Sequence, residues 1–222
     1  ANATWGNSQA VLVGDFLYTR SFQMMVKLGH LRVMQALSKA ANTLSEGEVL
    51  QLTNTRDPDV TEERYFAVIE RKTACLFEAA AHMACAISPA SPEQETACAT
   101  YAQSLGNAFQ IADDILDYAG GDVTGKAIGA DLREGKVTLP LIYALRDAKK
   151  DDQILLREAI RTATGDFDAI YRILKDTQAL QKCHARALQE VKRGEKALEV
   201  LPVGLFKDSL IKFLAFAVER DR

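Results

Sequence analysis

The sequence predicts an all-α protein, a bundle of long, mostly antiparallel helices. Three observations carry that expectation. Apolar residues recur at helical spacing along nearly the whole chain, only five prolines interrupt it, and no segment alternates convincingly between apolar and polar residues.

Taken in order, the stretch Ala10 to Leu37 carries Val11, Phe16, Leu17, Phe22, Met25, Leu28 and Leu31, with Gly29 a break. A second helix is expected from Val33 to Leu52, followed by a polar turn, Asn54 to Val60, that contains Asp57-Pro58-Asp59. Thr61 opens a helix with Glu62 and Glu63 in its first turn, where acids suit the dipole, and this helix is expected to run unbroken to about Ile87. Ser88-Pro89-Ala90-Ser91-Pro92 is a connector. Ser91 and Gln94 fit a capping box, with Pro92 at the first helical position. The helix that follows stops near Gly120-Gly121, and residues 120–137 are expected to be irregular. Thr138-Leu139-Pro140 opens a helix ending near Asp147, and further helices are expected over about 151–164, 166–177, 178–200 and 204–220.

The chain has 222 residues, 48% hydrophobic and 26% charged, enough for one substantial core. A net charge of −3 with no basic block argues against nucleic-acid binding. No run of eighteen apolar residues predicts a membrane span, so membrane contact is expected to be peripheral at most. Cys75, Cys85, Cys98 and Cys183 form neither a CxxC pair nor a zinc spacing with His30, His82 or His184. They read as thiols in a reducing cytoplasm.

The most informative stretch is Phe109-Gln110-Ile111-Ala112-Asp113-Asp114-Ile115-Leu116-Asp117. At about 100° per residue, Gln110, Asp113, Asp114 and Asp117 fall on one stripe of an otherwise apolar helix. Clustered carboxylates repel one another and cost desolvation energy unless a cation compensates. Mg²⁺ prefers all-oxygen ligands and often joins carboxylates to phosphate oxygens. The stripe therefore reads as a place where Mg²⁺ holds a phosphorylated substrate, against the plainer reading of a solvated helix face.

Gly125-Lys126-Ala127-Ile128-Gly129-Ala130-Asp131 begins eight residues after Asp117, and Glu134-Gly135-Lys136-Val137-Thr138 follows. Glycines allow close backbone approach to an anion, and Lys126 and Lys136 suit diphosphate. Asp131 would orient a lysine or hold a metal-bound water. The spacing is not that of a Walker loop. Lys72-Thr73, in the preceding helix, sets a cation beside a hydroxyl, though a lone lysine there also fits an exposed helix face. Val13-Gly14-Asp15 is weak by itself.

Together these pieces resemble the trans-isoprenyl diphosphate synthases. The matching order is Val13-Gly14-Asp15, Glu46-Gly47-Glu48-Val49-Leu50-Gln51, Lys72-Thr73, Gln110 with Asp113-Asp114 and Asp117, Gly125-Lys126 through Asp131, and Gly135-Lys136 through Pro140. Within that family the match looks nearest to bacterial long-chain, octaprenyl-type synthases. The resemblance implies an isoprenoid-synthase-type bundle around a central cavity, with Mg²⁺ as cofactor and farnesyl diphosphate and isopentenyl diphosphate as substrates. It further implies an all-trans long-chain product for a quinone side chain, a cytoplasmic location and a homodimer. Carried over residue by residue, Asp113, Asp114 and Asp117 would bind the metal, Lys72, Lys126 and Lys136 the allylic diphosphate, and Lys72, Thr73, Gln110 and Asp113 would serve catalysis.

The family's first aspartate-rich motif has no counterpart in residues 1–222. The chain is therefore expected to form a single helical prenyl-synthase domain lacking its N-terminal helices and that motif. On this reading the segment by itself is inactive. Three other readings stay open: a non-catalytic subunit of a synthase, a shorter-chain synthase and a class I terpene cyclase. The lysine-rich loop speaks for chain elongation rather than cyclisation.

Overall fold

The computed structural model describes residues 2–119 and 129–219, and every regular element among them is helical. A short α1 (Asn2–Trp5) leads into α2 (Asn7–Leu28), which ends where Gly29 adopts a left-handed φ of 68° and donates back to the carbonyls of Met25 and Val26. Helix α3 (Leu31–Asn54) packs against a long broken helix made of α4 (Glu62–Ile69), a π turn (Glu70–Ala74) and α5 (Cys75–Ala86). Next come α6 (Pro92–Ala119), α7 (Ala130–Arg133), α8 (Leu139–Asp147), α9 (Lys150–Thr162), α10 (Phe167–Asp176), α11 (Ala179–Ala197) with a 3₁₀ turn at Leu198–Val200, and α12 (Leu205–Glu219).

Helix α6 is the spine. Its capping box forms as expected: Gln94 N–H donates to Ser91 Oγ at 3.2 Å, and Ser91 N–H donates to Gln94 Oε1 at 2.9 Å. It packs most extensively against α11 and α5. Leu105, Ala108, Ile111 and Ala102 of α6 join Cys183 and Ala187 of α11 and Leu214 of α12 in the main core. Each large side chain buried there stabilises the fold by about 1.5–3 kcal/mol. One charge lies in the α6–α11 seam. Glu190 is buried but compensated, accepting from Arg186 Nη1 at 2.6 Å, from Arg193 Nη1 at 3.4 Å and from Asn107 Nδ2 at 3.4 Å.

Two expectations are corrected. The helix from Thr61 is capped as expected, Thr61 Oγ1 accepting from Arg64 N–H, but it does not run unbroken to Ile87. It widens into the π turn at Glu70–Ala74, which holds Arg71-Lys72-Thr73. Its neighbours carry glycine opposite that turn. A Cβ at Gly47 of α3 would lie 2.8 Å from the backbone nitrogen of Lys72, and one at Gly106 of α6 would lie 2.6 Å from Ala74 Cα. The flanking helices thus approach the widened turn at distances a side chain forbids. The segment after α6 is also more regular than expected, since α7 folds within it. Lys126 and Gly125, with Gly120-Gly121, lie outside the described residues.

Candidate active site

Four segments meet around a cavity of about 230 Å³. The end of α3 contributes Gln51 and Asn54. The α4–π-turn face contributes Tyr65, Val68, Ile69, Lys72 and Thr73. Helix α6 contributes Gln110, Asp113 and Asp114, and the stretch beyond α7 contributes Lys136, Val137 and Thr138, with Asp131 from α7 itself. Lys72, Thr73, Gln110, Asp113, Asp114 and Lys136, singled out from sequence far apart along the chain, share this one cavity. Val13-Gly14-Asp15 does not line it, lying instead on the exposed α2.

The lysines are held by oxygen partners. Lys72 Nζ donates to Gln51 Oε1 at 2.7 Å and lies 3.2 Å from Glu48 Oε1. Lys136 Nζ lies 3.1 Å from Asp131 Oδ1 and 2.6 Å from Glu134 Oε2. Partial burial works to lower the Lys136 pKa, but the hydrogen bonds and charges of Glu134 and Asp131 outweigh it and raise the value, keeping the ammonium charged. The same contact, aided by the Lys72 charge, lowers the Glu134 pKa. Backbone bonds fix this corner: Arg56 N–H donates to Gly135 O at 2.8 Å, and Lys136 N–H to Asp131 O at 2.9 Å.

The three aspartates of the stripe, all expected at the metal, occupy three different environments. Asp113 is exposed at the cavity. Asp114 is 2% exposed, accepting from Tyr65 Oη at 2.6 Å on one oxygen and from Gln110 Nε2 at 2.9 Å on the other. Burial pushes its pKa up to about 7; the charges of Asp131 and Asp113 add to the rise, and the bonds from Tyr65 and Gln110 oppose it. Burial and the neighbouring Asp114 charge raise the Tyr65 phenol well above its ordinary value. Asp117 accepts from the backbone N–H of Ala130 at 3.0 Å on one oxygen and of Asp131 at 3.2 Å on the other, capping α7. Gly129, with φ 74°, makes that entry possible: its N–H donates to Asp117 O at 2.9 Å, and a Cβ there would lie 2.4 Å from the Phe167 ring.

Thr73 Oγ1 donates to Gln110 Oε1 at 2.9 Å, so the π turn and α6 are joined inside the cavity. Sequence reading missed Tyr65, although it precedes Lys72 by seven residues, two helical turns on the same face. It also gave Gln51 no role. The notion that Asp131 orients a lysine agrees with the observed Lys136 contact.

Among the described residues no group of three or more His, Cys, Asp or Glu side chains converges as a ready metal cage. The donor set is nevertheless hard oxygen throughout, from Asp113, Asp114, Asp131, Gln51, Asn54 and Gln110. Mg²⁺ usually takes one or two carboxylates together with substrate phosphates and water, so this set fits an ion bound jointly with a diphosphate.

Known proteins bear on this arrangement. The polyprenyl synthetase family profile matches residues 1–177. Octaprenyl diphosphate synthase of Escherichia coli (strain K12) is 44% identical over 225 residues, an alignment covering 100% of this chain and 70% of that protein. Decaprenyl diphosphate synthase from Rhodobacter capsulatus superposes with a TM-score of 0.90 at 36% identity, covering 100% of this chain and 69% of that one. Polyprenyl synthase from Caulobacter crescentus, solved with calcium and isoprenyl diphosphate, gives 0.92 at 33% identity, with the same coverage. With its helical bundle and its cavity of lysines and aspartates, the chain belongs to the polyprenyl synthetase family.

Proposed function

We propose that this protein elongates an allylic diphosphate, farnesyl diphosphate, with isopentenyl diphosphate units to an all-trans octaprenyl diphosphate destined for a quinone side chain. The observation that carries this reading is the single cavity joining Lys72, Thr73, Gln110, Asp113 and Lys136. The 44% identity to an octaprenyl synthase supports the product length.

In this reading Asp113 is the direct carboxylate contact to Mg²⁺, while Asp114 and Asp117 support it, one by bracing α6 and the other by pinning α7. The ion, when bound, neutralises charge that develops on the departing diphosphate. Lys72 and Lys136, and Lys126 from outside the described residues, hold the diphosphate oxygens by charge-assisted hydrogen bonds. Glu48, Glu134 and Asp131 keep the two described ammonium groups oriented meanwhile. Thr73 and Gln110 line the reacting carbon, and Val68 and Ile69 exclude water from it. The chain would work as a homodimer, for which α2 supplies exposed Val11, Leu12, Phe16 and Leu17. Membrane contact would be peripheral, since no helix among the described residues is long and apolar enough to cross a bilayer.

The test is to incubate the chain, extended upstream through the first aspartate-rich motif, with Mg²⁺, farnesyl diphosphate and labelled isopentenyl diphosphate and to separate products by chain length. Octaprenyl diphosphate is expected. A farnesylgeranyl or shorter product would overturn the length assignment. No turnover, but stimulation of another synthase, would overturn the catalytic one in favour of a partner subunit.

A further inference from the structure

Four side chains form a continuous relay in the wall of the cavity. Tyr65 Oη donates to Asp114 Oδ2 at 2.6 Å, Gln110 Nε2 donates to Asp114 Oδ1 at 2.9 Å, and Thr73 Oγ1 donates to Gln110 Oε1 at 2.9 Å. We propose that Tyr65 is a positioning residue which, acting through Asp114, sets the polarity of the Thr73–Gln110 pair so that the cavity presents oxygen lone pairs to a positively charged allylic group. The proposal rests on the diphosphate-elongation reading above and goes beyond it by assigning a role to Tyr65.

The argument follows the donors and acceptors. Asp114 accepts on both oxygens, as an ionised carboxylate does, and in that state it is the amide NH₂ of Gln110 that faces it. The amide carbonyl is then turned towards Thr73, which has a single hydroxyl hydrogen and must spend it on that carbonyl. What remains on Thr73 Oγ1 and Gln110 Oε1 are lone pairs, and both residues line the cavity. The carboxylate orients the amide and the amide orients the Thr73 hydroxyl, while the Tyr65 hydroxyl holds the carboxylate in the orientation that faces Gln110. Tyr65 is 4% exposed and Asp114 2% exposed, so their bond is shielded from bulk water although both side chains belong to the cavity wall. With the Tyr65 donor gone, a carboxylate oxygen is stranded in the interior, and Asp114 is free to rotate and release the amide. The dipoles are fixed before any charge develops, which is where such groups act most strongly.

The test uses two probes that share a diphosphate and a prenyl chain. One is a dihydrofarnesyl diphosphate analogue with an ammonium nitrogen in place of C3, and the other is its all-carbon isostere. Binding of each is measured by calorimetry with Mg²⁺ present. The native protein is expected to prefer the cation by about tenfold or more. Tyr65→Phe keeps the ring and should cut that preference to within about threefold, leaving affinity for the neutral probe within about twofold. Asp114→Asn serves as the second variant and decides the matter if Tyr65→Phe does not fold. With Tyr65 donating to the new amide oxygen, the Asn NH₂ faces Gln110, the Gln110 amide flips and Thr73 loses its acceptor. The preference should fall at least as far. Equal weakening of both probes in the variants means Tyr65 is merely structural and overturns the proposal, as does an unchanged preference. If the native protein binds both probes equally, the polarity assignment fails while the diphosphate reading stands. If it binds neither, that reading fails and the proposal falls with it.

Discussion

The two faces of α6 follow opposite rules. On one face, Leu105, Ala108 and Ile111 enter a core made with α11 and α12, where stability scales with the apolar area removed from water. On the other face, Gln110, Asp113 and Asp114 meet the π turn and a small polar cavity. Burying Asp114 there works against stability, and the Tyr65 and Gln110 bonds recover only part of the desolvation cost, as its raised pKa records. One helix therefore uses its core face to hold in place a face that would not assemble unaided. Polar groups in the second region are set for a ligand rather than for stability.

That contrast breaks most visibly at Asp113. Asp113→Ala should lower kcat for isopentenyl addition by about 10²–10³-fold while costing under about 1 kcal/mol of stability, because its carboxylate is exposed and its interactions are screened by solvent. Steady-state kinetics alongside a thermal melt check both halves of the claim. The reverse pattern is expected at Ile111, which is fully buried. Ile111→Ala should cost about 3 kcal/mol in urea unfolding, with residual activity per folded molecule retained.

Gly106 sits where the two regions touch. Gly106→Ala places a methyl 2.6 Å from Ala74 Cα, so α6 and the π turn must separate. A loss of about 1–3 kcal/mol is expected, read as a Tm drop of about 2–4 °C per kcal/mol, together with a rise in KM for the allylic substrate. An unchanged KM would mean that the π turn tolerates displacement without moving Lys72 and Thr73.

The smallest effect is expected at Asp147, which joins α8 to α11 far from the cavity. Its carboxylate pKa is lowered to about 2 by hydrogen bonds from Arg146, at 2.9 Å, and from Lys182, at 2.7 Å. A depressed carboxylate stabilises the fold above its unfolded pKa of 3.8, and that contribution is lost as pH falls through about 2. The group is partly solvated and the pair is screened, so Asp147→Asn should cost under about 1 kcal/mol at pH 7. Melts across pH should show the difference from the native protein vanishing near pH 2.

Much of this was legible in the residues. Gly29, the Ser91–Gln94 box and Thr61 are local signals, decided by backbone conformation and caps within a few positions, and each ended or opened a helix where expected. The aspartate stripe and the lysine positions were readable because a helix converts spacing into direction. The π turn was not readable, since no residue preference marks it. It exists where α3 and α6 close in at Gly47 and Gly106, residues 59 positions apart in sequence. Nor was the division among the aspartates. Spacing made Asp113, Asp114 and Asp117 look alike, and only neighbours from other segments, Tyr65 for one and the start of α7 for another, gave them different partners.

The sequence by itself determined an all-α chain of the polyprenyl synthetase family and the helix that carries its carboxylates, because periodicity, capping and motif order are properties of the chain. Only the tertiary structure decided which carboxylate is exposed at the cavity, which is buried in its wall and which pins a helix. Those assignments depend on burial and on the direction of hydrogen bonds between segments that are distant in sequence and adjacent in space.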